Sequence, residues 1–325
     1  MSKHAPEIAG AARSLGMHAP PHEDGDRSLI NIAEVAEIEL LILRRMREVT
    51  IGDHRSLSRG AGFDYVGLRN WQAGDRFSTI DWPQSTLTNF SPLIVRELEQ
   101  PSTATVMVVA DGSLSTRCGA HGVPIASLVA RAIATIGMSA VFFQDMFGLA
   151  IFDETGQHLT AIRPRIGRNQ VMHCLDAYQN GRGLQEVRHT GSMSMTIGSF
   201  MRKTALIPFV SDFLFDDPRA VLEELSLLNA AHDVFVVLVD AAFAFDLPHV
   251  SAGWVETVDI ETGRTRMMSR AALADMAERV RVWQDEVART AREVDVDVVR
   301  FGTDSVANHL ALAEFVAERR LRKVA

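Results

Sequence analysis

The spacing of apolar residues changes period several times along the chain. From Ser28 to Val49 the residues Ile30, Ile32, Val35, Ile38, Leu40, Leu41, Leu43 and Met46 give an amphipathic helix, and Arg44, Arg45 and Arg47 close the segment as suits a helix carboxyl end. Between His54 and Trp82 glycines, aromatics and opposite charges alternate too closely for a long helix, which predicts short strands and turns. Leu93–Leu98 reads as a short strand, closed by Pro101. Ala104–Ala110 is a run of apolar and β-branched residues, as in a strand buried on both faces of a parallel sheet. A helical run over Val123–Met146 follows. Phe147–Asp153 and His158–Ile162 flank a turn bearing Gly156 and predict a hairpin, which would put an antiparallel edge strand on the sheet.

Further on, the pattern predicts a helix over Asn169–Tyr178, a helix ending at Lys203, a strand over Thr204–Val210 and a helix over Pro218–Asn229. A strand over Asp233–Val239 and a short hairpin across Glu261–Arg264 come next. Helix Arg270–Val294, strand Val296–Phe301 and helix Val306–Arg320 close the chain. Pro208 has no ladder donor and argues against a central place for its strand. Strands alternating with helices, without an internal repeat, predict an α/β fold: a doubly wound, mostly parallel, Rossmann-like sheet with one antiparallel edge strand. An N-terminal helix and a small β-rich appendage would precede it. The expected boundaries are a disordered 1–27 bearing Pro6, Pro20 and Pro21, a segment 28–101, and the main domain 102–325.

Composition narrows the function. The chain has 325 residues, 47% of them apolar, enough for a sizeable core. Its net charge of −8 argues against a nucleic-acid partner. Cys118 and Cys174 form no CxxC pair, the first thirty residues lack a signal-peptide core, and no apolar run reaches about 18 residues. These features predict a cytoplasmic protein without a membrane span. No G-x-G-x-x-G follows the first strand of the main domain, and no G-x-x-x-x-G-K-[ST] occurs, which excludes the common nucleotide-binding loops.

The candidate chemistry lies at strand ends. Asp111-Gly112-Ser113-Leu114-Ser115 follows a central strand at its carboxyl end, where open α/β sheets place ligands. One carboxylate and two hydroxyls at alternate positions suit a hard cation such as Mg²⁺. They leave most of its charge uncompensated, so the ion would seek an outside ligand, an Asp or Glu of a partner. The same residues would also serve as an Asx turn capping the next helix. Asp212 is a second carboxylate at a strand end. Arg69, Asp75, Arg76 and Asp81 could form an ion network with Trp71 and Trp82 as packing anchors, either structural or partner-binding. A hydrolase is the rival reading, with Asp111 accepting a phosphoryl group and Asp212 holding Mg²⁺. Against it, the Asp-x-Asp of haloacid-dehalogenase-type phosphatases is absent, and a triad of His189, Ser192 and Asp212 lacks a G-x-S-x-G elbow. The scattered histidines show no H-x-x-x-H spacing for zinc.

Asp111, Ser113 and Ser115 with the later Asp212 resemble the metal-ion-dependent adhesion site of von Willebrand factor A domains. Gly67-Leu68-Arg69-Asn70-Trp71-Gln72-Ala73-Gly74-Asp75-Arg76 with Ile80-Asp81-Trp82 resembles the signature of the family called domain of unknown function 58. Arg96-Glu97, Pro164-Arg165-Ile166-Gly167-Arg168, Ser211-Asp212-Phe213, His232-Asp233-Val234 and Asp259-Ile260-Glu261-Thr262-Gly263 add to it in family order. The resemblance implies a von Willebrand factor A-like fold and no catalytic activity. It further implies a partnership with a MoxR-type AAA+ ATPase in chaperone-like maturation or activation of client proteins. Metal or cofactor insertion, as in methanol dehydrogenase maturation, is one such task. It makes Asp111, Ser113, Ser115, Thr190 and Asp212 the ligands of a weakly held Mg²⁺, Mn²⁺ or Ca²⁺, with Ser192 the alternative to Thr190. Many family members carry transmembrane segments; the expectation here is a chain without them.

Overall fold

Residues 28–53, 64–73, 75, 77, 80–99, 103–120, 122–153, 158–201, 203–245, 253–258 and 265–322 are described by a computed structural model. The expected disorder of 1–27, the turns at Glu154–Gln157 and Glu261–Arg264, and Arg76 lie outside these residues. The chain divides after Arg44 and again before Ala104 into two units.

Helix α1 (Ile32–Asp53) opens with a reciprocal cap. The Asn31 side chain accepts from Glu34 N at 2.8 Å, and the Glu34 carboxylate accepts from Asn31 N at 3.0 Å. Val35, Ile38 and Ile42 form its buried stripe. The part up to Arg44 belongs to the larger unit, and the helix then crosses into the smaller one. There β1 (Asp64–Asn70), α2 (Trp82–Leu87) and β2 (Ile94–Glu99) make an antiparallel ribbon with a short helix. Ser85, fully buried, ties α2 to β2: its hydroxyl accepts from Ile94 N at 2.9 Å and donates to Ile94 O at 3.3 Å.

The larger unit begins with β3 (Thr105–Asp111), every residue of which is buried. A two-residue ribbon, β4 (Gly119–Ala120) and β5 (Val123–Pro124), comes before α3 (Ile125–Phe142). The ribbon delays the helix start beyond Val123. It depends on Gly119, where a Cβ would lie 2.1 Å from Val123 O. Next come β6 (Met146–Phe152), β7 (Leu159–Ile166), α4 (Arg168–Asn180), β8 (Gln185–Val187) and α5 (Met193–Phe200). Then follow β9 (Leu206–Ser211), α6 (Pro218–Asn229) and β10 (Asp233–Val239). A hairpin of β11 (Trp254–Val258) and β12 (Thr265–Ser269) leads into α7 (Arg270–Glu293), β13 (Asp297–Phe301) and α8 (Ser305–Arg322).

Seven strands form the central sheet in the order β13-β10-β9-β3-β6-β7-β8. From β13 to β6 they are parallel; β7 and β8 are antiparallel to their neighbours. The fold is therefore the mixed α/β, mostly parallel architecture that the alternation of elements predicts. Two details differ. Strand β7 is not itself the edge, because the short polar β8 pairs with Leu159–Ala161. Pro208 does sit inside the sheet, between β10 and β3. The ladder to β3 pairs at Leu206 and resumes at Phe209, so the missing Pro208 N–H falls where β3 makes no pairing. Helix α3 is long and apolar enough to cross a membrane, yet 83% of it is buried within the fold as a cover for the sheet.

The topology positions the site. The chain winds from β3 outward to β6 on one side and returns to β9 on the other. The strand order reverses between β3 and β9, and a crevice opens at the carboxyl ends of such neighbours. Asp111 ends β3; Ser211 ends β9, with Asp212 next.

Candidate metal centre

Two tight turns leave the crevice strands. After β3, Gly112 N donates to Phe152 O at 2.9 Å, and a Cβ on Gly112 would stand 2.7 Å from Ile151 Cγ2, so only glycine passes there unshifted. Ser113 N then donates to Asp111 Oδ1 at 2.8 Å. After β9, Leu214 N donates to Asp212 Oδ1 at 3.0 Å in a matching turn. The Asx-turn reading of Asp111 thus describes one of its oxygens and leaves the other for a different contact.

Hydroxyls join the two turns. Ser115 Oγ donates to Asp212 Oδ2 at 3.1 Å and lies 2.9 Å from Ser113 Oγ. Since Ser115 spends its proton on the carboxylate, the proton between the serines comes from Ser113. Ser211 Oγ donates to Asp111 Oδ2 at 2.6 Å and accepts from Phe213 N at 2.9 Å. Asp111, Ser211 and Asp212 have no exposed surface, and Ser113 and Ser115 are 5% exposed. The structure therefore brings Asp111, Ser113, Ser115 and Asp212 into one hydrogen-bonded cluster.

Thr190 makes its described hydrogen bonds outside this cluster. It precedes α5, is exposed, and its hydroxyl lies 3.3 Å from Thr196 Oγ1, while its N–H donates to the same atom at 3.2 Å. The alternative, Ser192, caps α5 by accepting from Met195 N at 3.3 Å. Four of the five expected ligands are thus joined by hydrogen bonds, and the fifth bonds Thr196 instead. The gathered donors are all oxygens, which fits a hard divalent cation. Among the described residues no group of three or more His, Cys, Asp or Glu side chains converges, so a cation here would depend on the serine hydroxyls.

Three further residues, not evident as site residues from the sequence, hold the cluster in place. Tyr178 of α4 donates its hydroxyl to Asp111 O at 2.8 Å. Burial, with the Asp111 and Asp212 charges, pushes its pKa well above the ordinary value, so it remains a donor. Gln284 of α7, buried, donates from Nε2 to Asp212 O at 2.9 Å and to Val239 O at 2.7 Å. Its neighbour Trp283 donates from Nε1 to Phe213 O at 2.9 Å. Phe213 needs such holding: its φ of +57° places a bulky side chain in the left-handed region. Strained backbone of this kind concentrates at functional sites. The Phe213 ring packs 5.5 Å from both Phe209 and Phe215, which floor the site. A tyrosine on a buried helical face requires a polar partner, and that is the signal by which Tyr178 could have been found.

In the smaller unit Arg69 forks onto Asp75, with Nη1 2.8 Å from Oδ2 and Nη2 2.7 Å from Oδ1. Gln72 N adds a third bond to Oδ2 at 2.7 Å. The Arg69 guanidinium, then the Gln72 amide, lower the Asp75 pKa to about 2. Asp81, buried, caps α2 by accepting from Gln84 N at 3.1 Å. Trp71 stacks on Phe77 with ring centroids 6.2 Å apart, and its buried Nε1 finds no acceptor among the described residues. Of the two expected roles of Trp82, the packing anchor is corrected, since the side chain is 55% exposed where α2 turns Ser85 inward; the partner-binding alternative stands as an expectation.

Comparison with known proteins follows the same outline. The chain is 26% identical over 297 residues to an uncharacterized protein of Mycobacterium tuberculosis, covering 89% of each. A counterpart in Mycobacterium bovis matches to the same extent. No solved structure matches. The family described as protein of unknown function DUF58 matches residues 67–293, a span running from the Arg69–Asp75 segment through the strand-end cluster to Gln284, and the chain belongs to that family.

Proposed function

We propose that this protein is a non-enzymatic, cation-dependent protein-interaction module. Asp111, Ser113, Ser115 and Asp212 hold a divalent cation, Mg²⁺ or Mn²⁺, in the manner of a von Willebrand factor A-type adhesion site. A carboxylate from a partner or client then completes the coordination. The single observation that carries the reading is the Ser115 hydroxyl, which bonds both Ser113 and Asp212 and draws the two strand-end turns into one oxygen-lined cluster. Bound there, a cation supplies an open, electrophilic coordination position; the chain supplies a rigid, mostly buried seat for it.

The family resemblance extends the proposal. The module acts with a MoxR-type AAA+ ATPase, in the cytoplasm, to mature or activate client proteins. The hydrolase reading is less well supported. Both Asp111 carboxylate oxygens already accept hydrogen bonds and the residue is fully buried, a poor arrangement for a nucleophile.

The test pairs the purified chain with the MoxR-type ATPase encoded in the same genome and follows association by biolayer interferometry, with Mg²⁺ or with EDTA. The expected result is association that weakens on chelation and in Asp212→Ala. Absence of association, or association indifferent to both changes, contradicts the proposal.

A further inference from the structure

The opposite edge of the sheet, where the parallel strands begin, carries a second feature. A groove of about 550 Å³ lies between α5 and the end of α6. Its apolar wall includes Met195, Gly198, Met201, Leu227, Leu228 and Ala231. A smaller hollow of about 280 Å³ shares Met201 and Lys203 with it and reaches Thr105 and Met146 at the starts of β3 and β6, Pro164 of β7 and Phe200 at the end of α5. Together they form one trough. Met195 is 61% and Leu227 71% exposed, so the apolar wall faces solvent.

The charged side chains that line the trough are basic. They are Arg163 and Lys203; none of its described lining residues is acidic, and the nearby Glu224 carboxylate is engaged by Ser194 N at 2.9 Å. That stands out on a chain of net charge −8. The Arg163 guanidinium lies 5.8 Å over the Phe200 ring, which holds the cation above the apolar floor. Lys203 has no carboxylate partner among the described residues and is exposed. The trough is open and shallow in polar groups, which suits a polypeptide better than a small molecule that must be fixed by buried donors. Its methionines can repack around varied side chains.

We propose that this trough docks an acidic, amphipathic segment of a partner protein. The segment lays apolar side chains on Met195, Met201 and Leu227 and turns Asp or Glu side chains toward Lys203 and Arg163. This docking is independent of the Asp111–Asp212 cluster, which lies at the other ends of the strands. A client held at one edge and a partner at the other can therefore be bound together.

The test is a displayed library of random peptides, roughly four helical turns long, selected on the full-length chain. The expected enrichment is for sequences that combine apolar residues with Asp or Glu. Their affinity should fall by about tenfold or more in the double variant Arg163→Glu, Lys203→Glu, and again in Leu227→Glu, while Asp111→Ala leaves it unchanged. The Arg163, Lys203 and Leu227 side chains are exposed, and circular dichroism checks that each variant is folded. The proposal is overturned by no enrichment, by enrichment of basic or uncharged sequences, or by equal affinity for the variants. It is also overturned if sedimentation shows the chain pairing with itself through a contact that Leu227→Glu abolishes.

Discussion

Asp75 and the Asp111–Asp212 pair are carboxylate sites of opposite kind. Asp75 receives a guanidinium fork and a peptide N–H, and that ordinary ion pair is finished by the chain itself. The bonds described at Asp111 and Asp212 come from serine hydroxyls and peptide N–H groups. Hydroxyls and amides orient a carboxylate without cancelling its charge. A carboxylate forked by arginine is set up for structure; a pair linked through serine hydroxyls gathers further oxygen donors around it, as a cation seat requires. The difference teaches where to expect function: the arginine pair sits in a small unit built of short strands, whereas the hydroxyl-linked pair sits at the switch point of a buried parallel sheet.

The comparison can be broken or sharpened by substitution, and the largest stability effect is expected at Gln284. Gln284→Leu leaves Asp212 O and Val239 O without their buried donor, a loss of about 2–4 kcal/mol in denaturant unfolding. It should also weaken cation binding, because the Asp212 turn loosens. If cation affinity is untouched while stability falls, Gln284 merely packs. Ser211→Ala comes next. It removes a donor from Asp111 Oδ2 and an acceptor from Phe213 N, for about 1–3 kcal/mol, read in the same unfolding experiment. An unchanged midpoint would mean that the strained Phe213 peptide is held by other contacts alone.

Tyr178→Phe deletes a single hydroxyl on Asp111 O and should cost about 1 kcal/mol, with a few-fold loss of cation affinity by calorimetry. The smallest effect belongs to the arginine pair. Asp75 has a folded pKa of about 2 against an ordinary 3.8, so its contribution is complete above the ordinary value and is lost as pH falls through about 2. In Arg69→Met the Asp75 titration, followed by NMR, should return toward the ordinary carboxylate range. A titration still near 2 would show that the Gln72 amide, rather than the guanidinium, sets it.

Much of this contrast is legible in the chain, unevenly. β3, β9 and β10 announce themselves because a strand buried on both faces must be apolar throughout. The abrupt change to Asp-x-Ser-x-Ser after Ala110, and to Ser-Asp after Val210, then marks the carboxyl ends. β8 escapes notice because Gln185–Val187 is a short, mostly exposed strand that buries no face. Gln284 is hidden in a helix rich in charged residues; only the packing of α7 shows that it faces two carbonyls rather than water. Thr190 illustrates a limit of chain order, since lying between the right elements does not decide which hydroxyl a loop residue bonds, here that of Thr196. Trp82 illustrates another, since a six-residue helix that turns Ser85 inward leaves its one aromatic exposed.

The most direct measurement is a calorimetric Mn²⁺ titration of the intact chain beside two variants, Asp111→Ala and Asp75→Asn, each verified as folded by circular dichroism. The account predicts binding by the parent chain and by Asp75→Asn, and its loss in Asp111→Ala. Equal binding by all three, or binding lost only with Asp75, contradicts it.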